Sequence, residues 1–294
     1  MMSNNMNLLS VDLSGLLEPL SDQSLLDVLH ASNIHFDSTQ YALAWTVVGA
    51  AMLVLNNMRY KDLPQTTWRP GAAWTRALVY FSGCNIFAAT TGTTNALLSQ
   101  PFVTSTQIAD PTWQLGALGC TIYILVAYWG LWSRMTLTFD RQLYLGAALL
   151  FGLLWGCSTG QLLLSFYHLC NTMGMEEGWA RYLLAYSFMG GWQYLIQDYW
   201  WDIYISPEHD TPKSIIVKTA ACHIPNVAIC LFFLNSYGNY FMFLFWQTLA
   251  LVAASIFQKF PAPWAEGEFD APMTQPGVFG LPRGLGYIID EEEE

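Results

Sequence analysis

Ten of the eleven Lys and Arg residues fall on one side of a membrane if this chain crosses it seven times. Long apolar stretches centre near residues 49, 86, 123, 155, 191, 226 and 247, each close to the ~20 residues that span a ~30 Å hydrocarbon core. The first 40 residues carry no Lys or Arg. The connection after the first stretch has Arg59, Lys61, Arg69 and Arg76, the next has none, and the third has Arg134 and Arg141. The fourth has only Arg181, the fifth has Lys213 and Lys218, the sixth has none, and the tail has Lys259 and Arg283. Positive charge resists translocation, so loops rich in it stay in the cytoplasm. The alternation therefore predicts an all-α, polytopic integral membrane bundle of seven transmembrane helices, N-terminus outside and C-terminus cytoplasmic. Six or eight spans would break it.

Three regions follow: an exterior acidic segment over 1–40, the bundle over 41–259, and a cytoplasmic Pro/Gly-rich acidic tail over 260–294. In the first, Leu25, Leu26 and Leu29 share one face of a short amphipathic helix capped by Ser21. The chain is 53% hydrophobic and 11% charged, against about 25% charged in a soluble domain. Its net charge of -11 sits mainly in the two ends. With no basic stripe to neutralise phosphates, a nucleic-acid partner is excluded. The expected partners are membrane lipid and either partner helices or a second copy. None of the six cysteines forms a Cys-x-x-Cys pair, so neither a disulfide framework nor a zinc knuckle is indicated. No cleavable signal peptide is visible, because Asp12 and Glu18 interrupt the first apolar run and no positive segment precedes it.

The spans differ in character. The second, 73–98, carries Asn85, Thr90, Thr91, Thr93, Thr94 and Asn95. The third, 113–132, is clean and ends in aromatics suited to the interface. In the fourth, Gly152, Gly156 and Gly160 repeat every four residues, a face that lets another backbone approach closely, and the same chain is the favoured neighbour. The fifth contains GGWQYLIQDYWWDIY over 190–204. In the sixth, Pro225 removes the donor that would serve Ala221, freeing that carbonyl and kinking the helix.

Candidate site residues gather where the fifth and sixth spans meet the cytoplasm. Asp198 and Asp202 are four apart and share a helix face. Asp198 lies a turn deeper, where an ionised carboxylate needs a partner. Lys218, on the returning span, supplies one, giving an expected Asp198–Lys218 ion pair. The linking loop adds Glu208, His209 and Asp210. Together with Asp198 and Asp202 they form an oxygen-rich set able to chelate a divalent cation such as Mg²⁺. The competing readings are an interfacial charge cluster that Lys218 snorkels to meet and a proton or ion path. His223 sits near mid-membrane, and with Asp198 and Asp202 it completes the candidate catalytic set. Asn85, Ser158, Thr159, Gln161, Gln193, Asn226 and Gln247 fall at comparable depth on five spans, which predicts a polar chamber; interhelical hydrogen bonds are the plainer account of such groups.

These features leave three function classes. One is a membrane-embedded enzyme acting on a lipid or isoprenoid at the cytoplasmic face. The others are a transporter or channel for a small solute, and a non-catalytic subunit of a larger assembly binding lipid or pigment. A retinal Schiff base is excluded, since residues 240–258 contain no lysine. The charge pattern carries its own test. Ser38→Cys and Ser105→Cys should react with an impermeant thiol reagent in intact cells, while Thr66→Cys and Thr274→Cys should not. Labelling at position 66 from outside would overturn the sidedness.

Overall fold

The computed structural model describes residues 49, 70–133, 142–193 and 218–265, which are helical apart from short connections and contain no strand. We number the helices α1 (Pro70–Thr90), α2 (Thr93–Ser99), α3 (Ser105–Ala109), α4 (Pro111–Trp132), α5 (Leu145–Thr172), α6 (Trp179–Trp192), α7 (Thr219–Tyr237) and α8 (Tyr240–Phe257). Among the described residues, α4, α5, α7 and α8 are long and apolar enough to cross a membrane. Their outward faces carry large apolar side chains such as Leu115, Ile122, Val126, Leu150 and Leu153, while Thr93, Ser165, Asn226, Gln247 and Ser255 are buried. Apolar outside and polar inside is the pattern of a bundle whose solvent is lipid. The span expected over 41–57 and the far half of the fifth span lie outside the described residues.

The expected second span is broken. Gly92 adopts a left-handed φ of 79° and ends α1, and α2 restarts at Thr93. Only glycine takes this conformation without steric cost. The flanking threonines satisfy the loosened turn: Thr91 Oγ1 donates to Phe87 O at 2.9 Å and lies 2.9 Å from Thr93 Oγ1. After α2 the chain turns through a reciprocal capping box. The Gln107 backbone N–H donates to Thr104 Oγ1 at 3.1 Å, and the Thr104 N–H donates to Gln107 Oε1 at 3.0 Å. Asp110 then caps α4 by accepting from the Thr112 N–H and hydroxyl at 2.9 and 2.8 Å, and these bonds hold its carboxyl below the ordinary carboxylate value. Pro111 at the first helical position sacrifices no hydrogen bond there.

The closest packing joins α5 to α8. A Cβ on Gly152 would lie 2.7 Å from the Val252 Cα, and one on Gly156 would overlap the Thr248 Cα. One on Gly160 would meet Leu244 Cδ1 at 2.6 Å. The glycine face therefore receives the backbone of α8 from the same chain. Ser255 Oγ, on α8, donates to the Ala148 carbonyl of α5 at 2.7 Å and ties the far end of the seam. Beyond α8 the chain folds back: Phe260 stacks on Phe151 with centroids 3.4 Å apart, and the Trp74 indole N–H donates to Pro261 O at 2.8 Å. Residues 260–262, assigned to the tail by sequence, are thus buried against α1 and α5.

Arg181, the lone exception to the charge alternation, is only 3% exposed. Its Nε donates to Asn235 Oδ1 at 3.1 Å and its Nη1 to Asn171 Oδ1 at 3.0 Å. Nη2 lies 3.3 Å from the Glu177 carboxylate, and the guanidinium stacks 4.9 Å from the Tyr167 ring centroid. The buried guanidinium thus bridges α5, α6 and α7, while its carboxylate partner Glu177 is exposed.

The glycine geometry predicts a ranking. Gly156→Ala and Gly152→Ala force a methyl group into α8 backbone and should each destabilise by about 1–3 kcal/mol. Gly160→Ala meets only the mobile end of Leu244 and should cost much less. Thermal denaturation of purified protein in detergent reads the order, and equal losses at all three positions would remove the seam from the account.

Candidate functional site

Two helices widen where they meet. The second half of α4, Leu125–Trp132, and the start of α7, Thr219–His223, both run in π-helical turns. In α7 the cause is Pro225. The Ile224 N–H bonds to Thr219 O, five residues back, so the register slips just before the proline. The carbonyls left over are taken by a side chain from α4: Tyr123 Oη donates to Ala221 O at 2.8 Å and to Cys222 O at 3.0 Å. The Cys222 thiol returns a bond to Ala127 O on α4 at 3.3 Å. Such wide turns concentrate at functional sites because they re-aim side chains at little cost in backbone bonding.

Beside this junction lies a cavity with about 20 Å³ open to the centres of water molecules, room for about one water. Its polar lining is Tyr128, Thr159, Gln193, His223, Asn226 and Gln247; Trp132, Leu163, Ala250, Leu251 and Ala254 supply the rest. Most of the polar groups form one network. Asn226 Nδ2 donates to Tyr128 Oη at 3.1 Å and to Gln247 Oε1 at 3.2 Å, and Gln247 Nε2 donates back to Asn226 Oδ1 at 3.3 Å. Tyr128 Oη, which accepts from Asn226, also lies within hydrogen-bond distance of His223 Nδ1, at 3.2 Å. On the other wall, Thr159 Oγ1 lies 3.4 Å from Tyr80 Oη, which accepts from the Trp192 indole at 3.2 Å. Gln193, directly after α6, is 9% exposed, and its Oε1 is buried with no hydrogen-bond partner among the described residues.

The seven residues expected to form a chamber divide into two groups. Thr159, Gln193, Asn226 and Gln247 line the cavity with His223. Asn85, Ser158 and Gln161 instead knit α1 and α2 to the outer side of α5. Asn85 Nδ2 donates to Ser158 Oγ at 2.9 Å, Gln161 Nε2 donates to Asn85 Oδ1 at 2.8 Å, and Thr94 Oγ1 donates to Gln161 Oε1 at 3.2 Å. Adjacent residues on α5, Ser158 and Thr159, thus serve separate networks. Lys218 is buried at the start of α7, 6% exposed. Asp198, Asp202, Glu208, His209 and Asp210 lie outside the described residues. Among the described residues no three His, Cys, Asp or Glu side chains gather as a metal site.

Tyr80, Tyr123, Tyr128 and Trp132 were not among the residues singled out by sequence. Tyr128 and Trp132 are four apart on α4 and stack with centroids 6.4 Å apart, so one helix face carries both. That spacing was the available signal, and it reads equally well as an interfacial aromatic belt. The chain matches no family model, no curated protein and no solved structure.

Tyr123→Phe strands two carbonyls in low dielectric and should destabilise by about 1–2 kcal/mol. In a Pro225→Ala background, where the new N–H can serve Ala221, the same substitution should cost less. Paired thermal denaturation curves give the coupling; equal losses in both backgrounds would show that Tyr123 does not compensate the proline.

Proposed function

We propose that the chain is an integral membrane protein of seven spans, N-terminus outside and C-terminus cytoplasmic, and that it is an enzyme acting on a lipid or isoprenoid at the cytoplasmic face. The observation that carries the enzymatic reading is the buried His223–Tyr128 pair, held by Asn226 and Gln247 beside a cavity. An imidazole positioned by a hydroxyl is a competent general acid or base. The cavity is set among the last turns of α4 and α8 and the first turns of α7, toward the end of the bundle where the sequence concentrates its Lys, Asp and Glu. In this reading Asp198 and Asp202, which follow Gln193 on the fifth span, act from the cytoplasmic side with His223. Glu208, His209 and Asp210 join them in holding a divalent cation such as Mg²⁺ against a phosphorylated headgroup. The transporter reading is weaker, because a cavity with room for about one water passes no solute.

The test is a lipid-conversion assay. Full-length protein in lipid nanodiscs, supplied with Mg²⁺ and a cellular lipid and isoprenoid extract, should consume a component identifiable by mass spectrometry. Asp202→Asn and His223→Gln should stay folded and lose at least about 100-fold in rate, the usual weight of an acid/base group. No lipid consumed, or variants as active as the parent, would overturn the reading.

A further inference from the structure

Among the described residues, the cavity lining has no Lys, Arg, Asp or Glu. A phosphate or carboxylate placed there would be desolvated without a cation to meet it, and an ammonium without a carboxylate, which makes either charge costly. The volume points the same way. About 20 Å³ open to water centres suits a small polar group such as a hydroxyl.

The hydrogen-bond inventory then fixes the polarity of the missing group. Asn226 and Gln247 are bonded to each other, the Cys230 thiol donates to Asn226 Oδ1 at 3.4 Å, and Tyr128 joins Asn226 to His223. Gln193 Oε1 stands apart: an acceptor in a residue more than nine-tenths buried, lining the same space, with no donor among the described residues. A buried carbonyl oxygen left so is destabilising. A hydroxyl answers it, since it donates one bond and can accept another from a neighbour. An apolar occupant would leave the carbonyl unpaired.

We propose that the cavity is a binding site for one neutral hydroxyl, donated to Gln193 Oε1 and lying against the His223–Tyr128 pair. The hydroxyl belongs either to a water or to the head of a lipid alcohol. The assignment rests on the enzymatic reading only for what the hydroxyl would do there, as the oxygen that reacts beside His223. Its binding follows from the cavity alone.

X-ray hydroxyl-radical footprinting of the full chain in phosphatidylcholine nanodiscs tests it, because bound water is converted to radical where it sits and marks the adjoining side chain. Trp132 lines the cavity and is 4% exposed, whereas Trp246 is fully buried and does not line it. In delipidated protein Trp132 should be labelled about tenfold faster than Trp246, as expected of a side chain beside a held water. Ala254→Leu, which fills the space, should abolish the difference. Nanodiscs are then loaded with farnesol, and separately with squalene, which has no hydroxyl. Suppression by farnesol alone identifies a lipid alcohol as the occupant, and labelling unchanged by either identifies water. Trp132 labelled no faster than Trp246 in the delipidated parent protein would overturn the site. Gln193→Leu gives a second reading with a definite sign. Loss of the acceptor from an occupied site lowers Tm, while relief of an unpaired carbonyl in a dry cavity raises it, and a raised Tm also overturns the proposal. Neither readout uses turnover. A labelled, inactive protein would keep the hydroxyl site and sink the enzymatic reading, and the two failures stay distinct.

Discussion

The close approach of α5 to α8 is the contact on which the remaining geometry depends. Lipid offers helices no hydrophobic reward for associating, so packing density must hold them together. Gly152 and Gly156 allow the α8 backbone to come within the radius of a missing side chain. Once that seam is closed, Thr159 and Leu163 of α5 face Gln247, Ala250, Leu251 and Ala254 of α8 across a space that the two helices cannot fill. Gln247 then finds Asn226 on α7, and Asn226 finds Tyr128 on α4. The polar interior is thus a consequence of a tight apolar seam, with the cavity left where α4 and α7 complete the ring.

The same solvent explains the wide turns. In water, a carbonyl exposed by proline is hydrated at small cost; in hydrocarbon it must find a donor within the protein. Here α7 shifts its register before Pro225, and Tyr123 closes the two carbonyls that remain. The hydroxyl comes from α4, which therefore stays against α7 at the turn that also carries His223. Trp129 and Trp246 extend the pattern, donating to Leu249 O at 3.2 Å and to Thr121 Oγ1 at 3.0 Å. Several of the chain's indoles and phenols are thus spent on interhelical bonds inside the bundle.

What could be read from the chain depended on whether the residue's role was local. The glycine spacing announces a close contact because three missing side chains on one face have few other uses, and Pro225 announces a freed carbonyl because its chemistry is fixed. The partners of both features, Thr248 and Tyr123, are distant in sequence and carry no mark that singles them out. Tyr128 and Trp132 belong to a span that looked plain, since an aromatic near a helix end has the same appearance whether it anchors at headgroups or closes a core. Asn85 and Asn226 show the converse. Their depths are similar by sequence, yet one binds Ser158 and Gln161 at the α1–α5 seam and the other lines the cavity. Depth follows from hydropathy; azimuth around the bundle does not. Gly92 was legible in principle, flanked by threonines on both sides, but a glycine within an apolar run is as often a packing residue as a break.

Lys218 and His223 are five residues apart, about one wide turn at the start of α7. Lys218 is itself buried, 6% exposed. Around His223 the described lining of the cavity holds no Lys, Arg, Asp or Glu. A carboxylate at the deeper position would have its proton affinity raised by desolvation until it ceased to be charged, whereas an imidazole–phenol–amide network exchanges hydrogen bonds without separating charge. Substituting a carboxylate for Asn226 would break the reciprocal amide pair with Gln247 and set a charge among these groups.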